Sequence, residues 1–174
     1  MGRLIVAVLL VIAAALTAQD PRERPQEKQG TADAAHKKFA DEKSEFLSWL
    51  KLWQWYEGEL EHKKSNRKLV QACHENFLSA LRMREWHDIH NQLHALATEH
   101  GWKENQLPAN YDAVHRALLS GLLGNIGCKS EDSGHYLGAR GIKFLIHPGS
   151  ALNKKAGKWI AAAEITETSK LFAR

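Results

Sequence analysis

The 174-residue chain has little of what staples a small fold together. Its two cysteines, Cys73 and Cys128, stand 55 positions apart, with no CxxC pair and no Cys/His finger spacing around either. A structural zinc site is therefore not expected, and free thiols are the expected state of an intracellular chain. Four prolines and twelve glycines exclude collagen and proline-rich linkers. Nucleotide motifs are also missing. Gly157-Lys158 is followed by Trp159 rather than Ser or Thr, and position 152, where a P-loop has its first glycine, is Leu152. There is no acidic magnesium box, no HExxH and no G-x-S-x-G elbow, since Gly149-Ser150 lies in HPGSAL. ATPase, metalloprotease and serine-hydrolase chemistry are thus not expected of this chain by itself.

What is present describes a globular chain of one or two domains, with 44% hydrophobic and 25% charged residues. The net charge of +4 permits a polyanionic partner without requiring one. Its distribution is more informative. Residues 1–132 carry 17 positive and 18 negative side chains. Residues 133–174 carry seven positive (Arg140, Lys143, Lys154, Lys155, Lys158, Lys170, Arg174) and two negative (Glu164, Glu167). The whole basic excess is carboxy-terminal, which is either a footprint for nucleic acid or a solvated basic surface.

Leu4–Leu16 is an uninterrupted apolar run behind Arg3. Its length and flanks suit a secretory signal, and equally a buried helix; it is short for a membrane span. Asp20–Asp33, with two prolines and seven charges, is expected to be a surface loop. Residues 34–124 carry helical periodicity. Phe46, Trp49, Leu50, Trp53 and Tyr56 predict a helix over 43–60, followed by a polar turn at 63–68. Leu78, Leu81, Trp86, Ile89, Leu93 and Leu96 predict an inward stripe over 76–100. Tyr111, Val114, Leu118 and Leu122 predict a third helix ending near Gly124–Gly127. Thereafter Ile142, Phe144 and Ile146 alternate with Lys143, Leu145 and His147. Strands are expected at 134–139, 142–147 and 158–168. The fold class is α+β, a helical domain over 1–130 and a small β domain over 131–174.

Two side-chain groupings admit more than one reading. His87, His90 and His94 share a helical face and could bind zinc or copper, although that face lies beside the apolar stripe and a solvated flank also accounts for it. A secreted helical metal-binding protein is the corresponding alternative function. In the β part, Tyr136, Phe144 and Trp159 interleave with Arg140, Lys143 and Lys158. They could stack bases and grip phosphate, or fill a barrel interior.

Five blocks carry a family resemblance: LVIAAALTAQDPRERPQEKQ (Leu10–Gln29), LRMREWHDIHNQL (Leu81–Leu93), ALLSGLLGNIG (Ala117–Gly127), GARGIKFLIHPGSAL (Gly138–Leu152) and KWIAAAEITETSKLFAR (Lys158–Arg174). In order and in register they resemble bacterial DEAH-box ATP-dependent RNA helicases of the HrpA type. The resemblance implies a helical ratchet-like domain followed by an OB-fold, of which the expected three strands would make a partial barrel with unpaired edges. It implies a fragment of a cytoplasmic helicase whose motor domains, with their ATP and magnesium, lie elsewhere. No cofactor and no membrane contact are expected for the chain itself. It also places Leu10–Leu16 inside the helical domain, which favours the buried helix over the signal. The implied partner is single-stranded RNA, with Arg140, Lys143, Lys154, Lys155 and Lys170 on phosphate, Arg22 and Arg24 as further candidates in the loop, and Thr168 and Ser169 as hydroxyl donors. A nonfunctional helicase remnant is the remaining alternative.

Overall fold

The computed structural model describes residues 6–62, 65–103, 110–131, 134–153, 155–168 and 170–173. The apolar amino-terminal run forms helix α1 (Val6–Thr17), with Leu10, Val11, Ile12, Ala14 and Ala15 buried. A helix apolar on every side is stable only inside a core. Here α1 packs along α5 (Ala80–Glu99). Trp86 of α5 is fully buried, and its indole N–H donates to the carbonyl of Val11 at 3.1 Å.

Between these helices lie α2 (Gln29–His36), α3 (Glu45–His62) and α4 (Asn66–Glu75), and α6 (Tyr111–Gly121) follows. From α3, Leu52, Trp53 and Tyr56 are buried; Trp53 and Trp49 both set their rings against Trp86, at 5.1 and 5.6 Å. The α5 stripe differs from expectation at its ends. Leu81 and Leu96 are exposed, while Met83 and Ala97 are buried in their place. The helix begins at Ala80 because Phe77 takes a left-handed conformation (φ 53°) and Ser79 caps the first turn by accepting from the Arg82 amide. The expected 20–33 loop is partly helical, since α2 starts at Gln29 after a 3-10 turn at Gln26–Lys28. The third helix stops at Gly121, before the expected Gly124–Gly127, and a 3-10 turn covers Leu123–Asn125.

The carboxy-terminal part is a curled sheet, and the chain is α+β with a small OB-like barrel after its helices. Among the described residues six short strands replace the three expected: β1 (Ile126–Lys129), β2 (His135–Leu137), β3 (Lys143–Ile146), β4 (Trp159–Ala161), β5 (Ile165–Glu167) and β6 (Leu171–Ala173). Their order is β4-β1-β2-β3-β6-β5, with β3 and β6 parallel and the other pairs antiparallel. The segment expected as one strand over 158–168 is two strands at opposite edges, joined by Ala162–Glu164. That link forces the sheet to curl. In a flat sheet five spacings of about 4.8 Å would hold the edges about 24 Å apart. The four Cα steps from Ala161 to Ile165 reach at most about 15 Å.

Curling also needs a small interior. Tyr136, Phe144, Ala162 and Ala173 are buried there, with Ile146, Ile160, Ile165 and Leu171 against them. Phe144 fills space left by two glycines. A Cβ on Gly127 would stand 2.5 Å from the ring's Cζ, and one on Gly138 2.8 Å from its Cε1.

Packing divides the chain into two units, Met1–Ala40 with Phe46–Ala109, and Asp41–Glu45 with Asn110–Arg174. The short 41–45 segment meets α6 through Ser44 and His115. His115 Nδ1 donates to the Tyr111 carbonyl at 2.7 Å, so Nε2 accepts from the Ser44 hydroxyl at 2.6 Å.

Two outcomes are expected. Gly127→Ala destabilises the β part by about 1–3 kcal/mol through overpacking against Phe144. Gly124→Ala, where nothing lies within 4 Å, is neutral or stabilising; urea melts of both variants followed by circular dichroism make the comparison. The second outcome concerns Tyr56, whose phenol burial pushes up to about 12, with Cys73 adding to the shift. Its unfolded value is about 10, so its contribution is fully present below about pH 10 and is lost as pH rises toward 12. Ultraviolet titration of the folded protein should show one tyrosine that ionises only near the end of that range.

Candidate nucleic-acid interface

Strand register decides which side chains share the outer face of the barrel. Trp159 pairs with Cys128, Cys128 with Leu137, and Leu137 with Lys143. Directly opposed residues point to the same face. The alternate positions Gly127, Ile160, Tyr136 and Phe144 point inward, so this row points outward. The β3–β6 pairing, Leu145 with Phe172, continued two residues back, sets Lys170 level with Lys143. Thr168 comes next, its amide donating to the Lys170 carbonyl at 3.0 Å. One outer row therefore crosses the sheet from Trp159 through Cys128, Leu137 and Lys143 to Lys170 and Thr168. Three of its residues are apolar, two are basic and Thr168 carries a hydroxyl.

Arg140 stands beside this row, at the tip of the β2–β3 hairpin. Arg140 (φ 57°, ψ 23°) and Gly141 (φ 76°) are both left-handed, and the Ile142 amide donates to the Ala139 carbonyl. They are the second and third residues of the three-residue loop Ala139–Gly141, closed by the pair Gly138 and Ile142. Glycine or asparagine is the usual occupant, and arginine there is strained. The long cationic side chain is thus held out at an exposed turn.

The structure brings together Arg140, Lys143, Lys170 and Thr168. Of the other sequence-derived candidates, Lys155 stands apart from them within the same unit. Lys155 lies in the β3–β4 connection, toward the opposite end of the barrel from the β2–β3 and β5–β6 turns, and its Nζ is 3.7 Å from Glu42 Oε1. Arg22 and Arg24 belong to the first unit. Arg22 grips Asp20 through Nε (3.0 Å) and a terminal nitrogen (2.8 Å), and its guanidinium sits 4.6 Å over the Trp49 ring. Its backbone also bridges to Leu78. Arg24 makes a two-pronged pair with Asp33, both bonds 2.7 Å, and its guanidinium beside Asp33 holds that carboxyl below the usual carboxylate range. Lys154 and Ser169 lie outside the described residues.

Of the three aromatic candidates, Tyr136 and Phe144 fill the interior, where the Tyr136 hydroxyl donates to the Gly157 carbonyl at 2.8 Å. Trp159 is 65% exposed and Leu137 45%. Leu137 and Cys128 carry no sequence signal of their own; only the register joins them to Trp159 and Lys143.

The other chemistries find less support. His87 stacks on Trp53 at 5.6 Å and lies 3.4 Å from Glu57 Oε1, and the His90 ring also lies against Trp53. Among the described residues no three His, Cys, Asp or Glu side chains stand as a metal-holding group. Gly157-Lys158 directly precedes strand β4. Also among the described residues, no helix is long and apolar enough to cross a membrane.

Arg140→Asn should raise the stability of the β part by up to about 1 kcal/mol, because asparagine adopts the left-handed conformation at lower cost. Thermal melts of the two proteins at equal ionic strength measure it.

Comparison with known proteins agrees with the fold of the carboxy-terminal part. Residues 114–174 match the family model described as the oligonucleotide/oligosaccharide-binding (OB) fold. The chain is 47% identical over 166 residues to the ATP-dependent RNA helicase HrpA homolog of Haemophilus influenzae, and 45% identical over 165 residues to the ATP-dependent RNA helicase HrpA of Escherichia coli. It is 28% identical to the pre-mRNA-splicing factor ATP-dependent RNA helicase prp22 of Schizosaccharomyces pombe. Each bacterial match covers 95% of this chain and 13% of the relative, so the chain spans about an eighth of their length. Over nearly all of its residues, the chain is a homologue of a segment of the bacterial HrpA-type DEAH-box ATP-dependent RNA helicases, and its residues 114–174 belong to the OB-fold.

Proposed function

We propose that this chain is an accessory nucleic-acid-binding region that holds single-stranded RNA while helicase motor domains hydrolyse ATP. The observation that carries the reading is the outer row that gathers Lys143, Lys170 and Thr168, with Arg140 at the adjoining hairpin tip. Lysine and arginine on phosphate give affinity that tolerates sequence. Hydroxyl and backbone contacts to sugar and phosphate would add positioning. The relatives' printed names, RNA helicases, support RNA as the polymer. In this reading ATP turnover falls to the motor domains, and the role of this region is to keep the strand engaged between cycles.

The experiment is fluorescence anisotropy of a labelled single-stranded RNA against the full chain over a salt series. The logarithm of the association constant should fall linearly with log salt, by about 0.7 per phosphate contacted. The Lys143→Ala/Lys170→Ala double variant should flatten the slope by about 1.4. Arg24→Ala, which breaks only the pair with Asp33, should leave it unchanged. Binding with no salt dependence, or none at low salt, overturns the reading.

A further inference from the structure

The apolar half of the row remains unexplained by phosphate contacts. Trp159 is 65% exposed at the start of β4, beside half-buried Cys128 and 45%-exposed Leu137 on the neighbouring strands. A soluble face that exposes its largest side chain next to another large apolar one has a use for both. The sheet offers no packing reason: Ile160 beside it points into the barrel, and the interior is already filled by Tyr136 and Phe144. What lies next to the patch identifies its occupant. The same row continues directly into Lys143 and then Lys170, with Arg140 adjoining. A ligand that covers the row must be flat and apolar at one end and anionic at the other. An unpaired nucleotide run has that character, because each base has an apolar face and each link carries a phosphate.

We propose that Trp159, flanked by Leu137 and Cys128, is a base-stacking subsite that makes the row selective for single strands. The proposal deepens the RNA-holding reading and rests on it. Three strand spacings separate Trp159 from Lys143, about 14 Å. A strand can therefore stack a base on the indole while phosphates further along it reach Lys143 and Lys170. In a duplex the bases are paired and stacked on one another, so a duplex offers only its phosphates to the lysines. Selection for unpaired nucleic acid then comes from Trp159, and salt-dependent affinity from the lysines. Sequence preference is weak because every base has a face to stack.

The test compares wild type, Trp159→Ala and Trp159→Phe on three probes of equal length. These are single-stranded RNA, the same backbone with abasic sugars, and duplex RNA. Trp159→Ala should weaken single-strand binding about 10-fold at an unchanged salt slope, and Trp159→Phe should restore most of it. The abasic probe should bind wild type as weakly as intact RNA binds Trp159→Ala. Duplex binding should be equal in all three proteins. Circular dichroism checks that the exposed substitutions leave the fold intact. The proposal is overturned if Trp159→Ala holds single-stranded RNA as wild type does, or if the abasic probe binds wild type as tightly as intact RNA. In that event, a loss in Lys143→Ala/Lys170→Ala shows that the phosphate-holding reading survives and that the indole serves another surface, such as a protein contact. If the double variant also binds normally, both readings fail.

Discussion

The seat of Phe144 between Gly127 and Gly138 is the contact on which the β part depends. The ring occupies the volume where either glycine would carry its Cβ, so β1, β2 and β3 can close tightly around one aromatic core. A sheet this short has few inward positions, and most of its burial comes from Phe144 and Tyr136, whose rings stack 6.2 Å apart. The Ala162–Glu164 link then draws the two edges of the sheet toward each other. With the interior settled, the outward parity of every strand is settled too, because successive side chains alternate between faces. The candidate site is thus a consequence of the core: once Phe144 points in, Lys143 and Leu145 cannot.

This arrangement separates stability from binding. The row residues are outward and mostly exposed, so their chemistry can change with little effect on the interior. Arg140 is the exception. Its left-handed backbone costs stability that glycine or asparagine at the same turn would recover.

The helical elements were the more legible part of the sequence, because their signal is local. Trp49, Leu50, Trp53 and Tyr56 announce α3 by spacing alone. The errors in α5 have a local cause as well: Leu81 and Leu96 fit the periodic template, but the buried arc is centred on Trp86 and takes Met83 and Ala97. The barrel was less legible. Residues 158–168 read as one strand because nothing in Ala161–Glu164 is a strong breaker, yet the halves pair with opposite edges. The row was read in fragments. Lys143, Lys170 and Thr168 were identifiable by type, but their adjacency to one another and to Leu137 and Trp159 arises from pairing between segments far apart in sequence. Periodicity says which face a residue takes; it does not say which residue stands beside it.

Charge alone would have ranked Arg22 and Arg24 with Arg140, and their surroundings show why it should not. The DPRERP segment carries its own carboxylates, and the fold supplies more. Asp20 takes Arg22 while Trp49 stacks beneath it, and Asp33 takes Arg24 across a turn of chain. A guanidinium already held by two charge-assisted bonds must break them before it can hold a phosphate. In residues 133–174 acidic groups are scarce, with Glu164 and Glu167 against seven cations. Within that span cations outnumber carboxylates, although Lys155 also meets Glu42 from outside it. The useful quantity is therefore not how many basic residues a segment has. It is how many remain after its own acids are counted, and whether the sheet sets them in line with something a base can stack on.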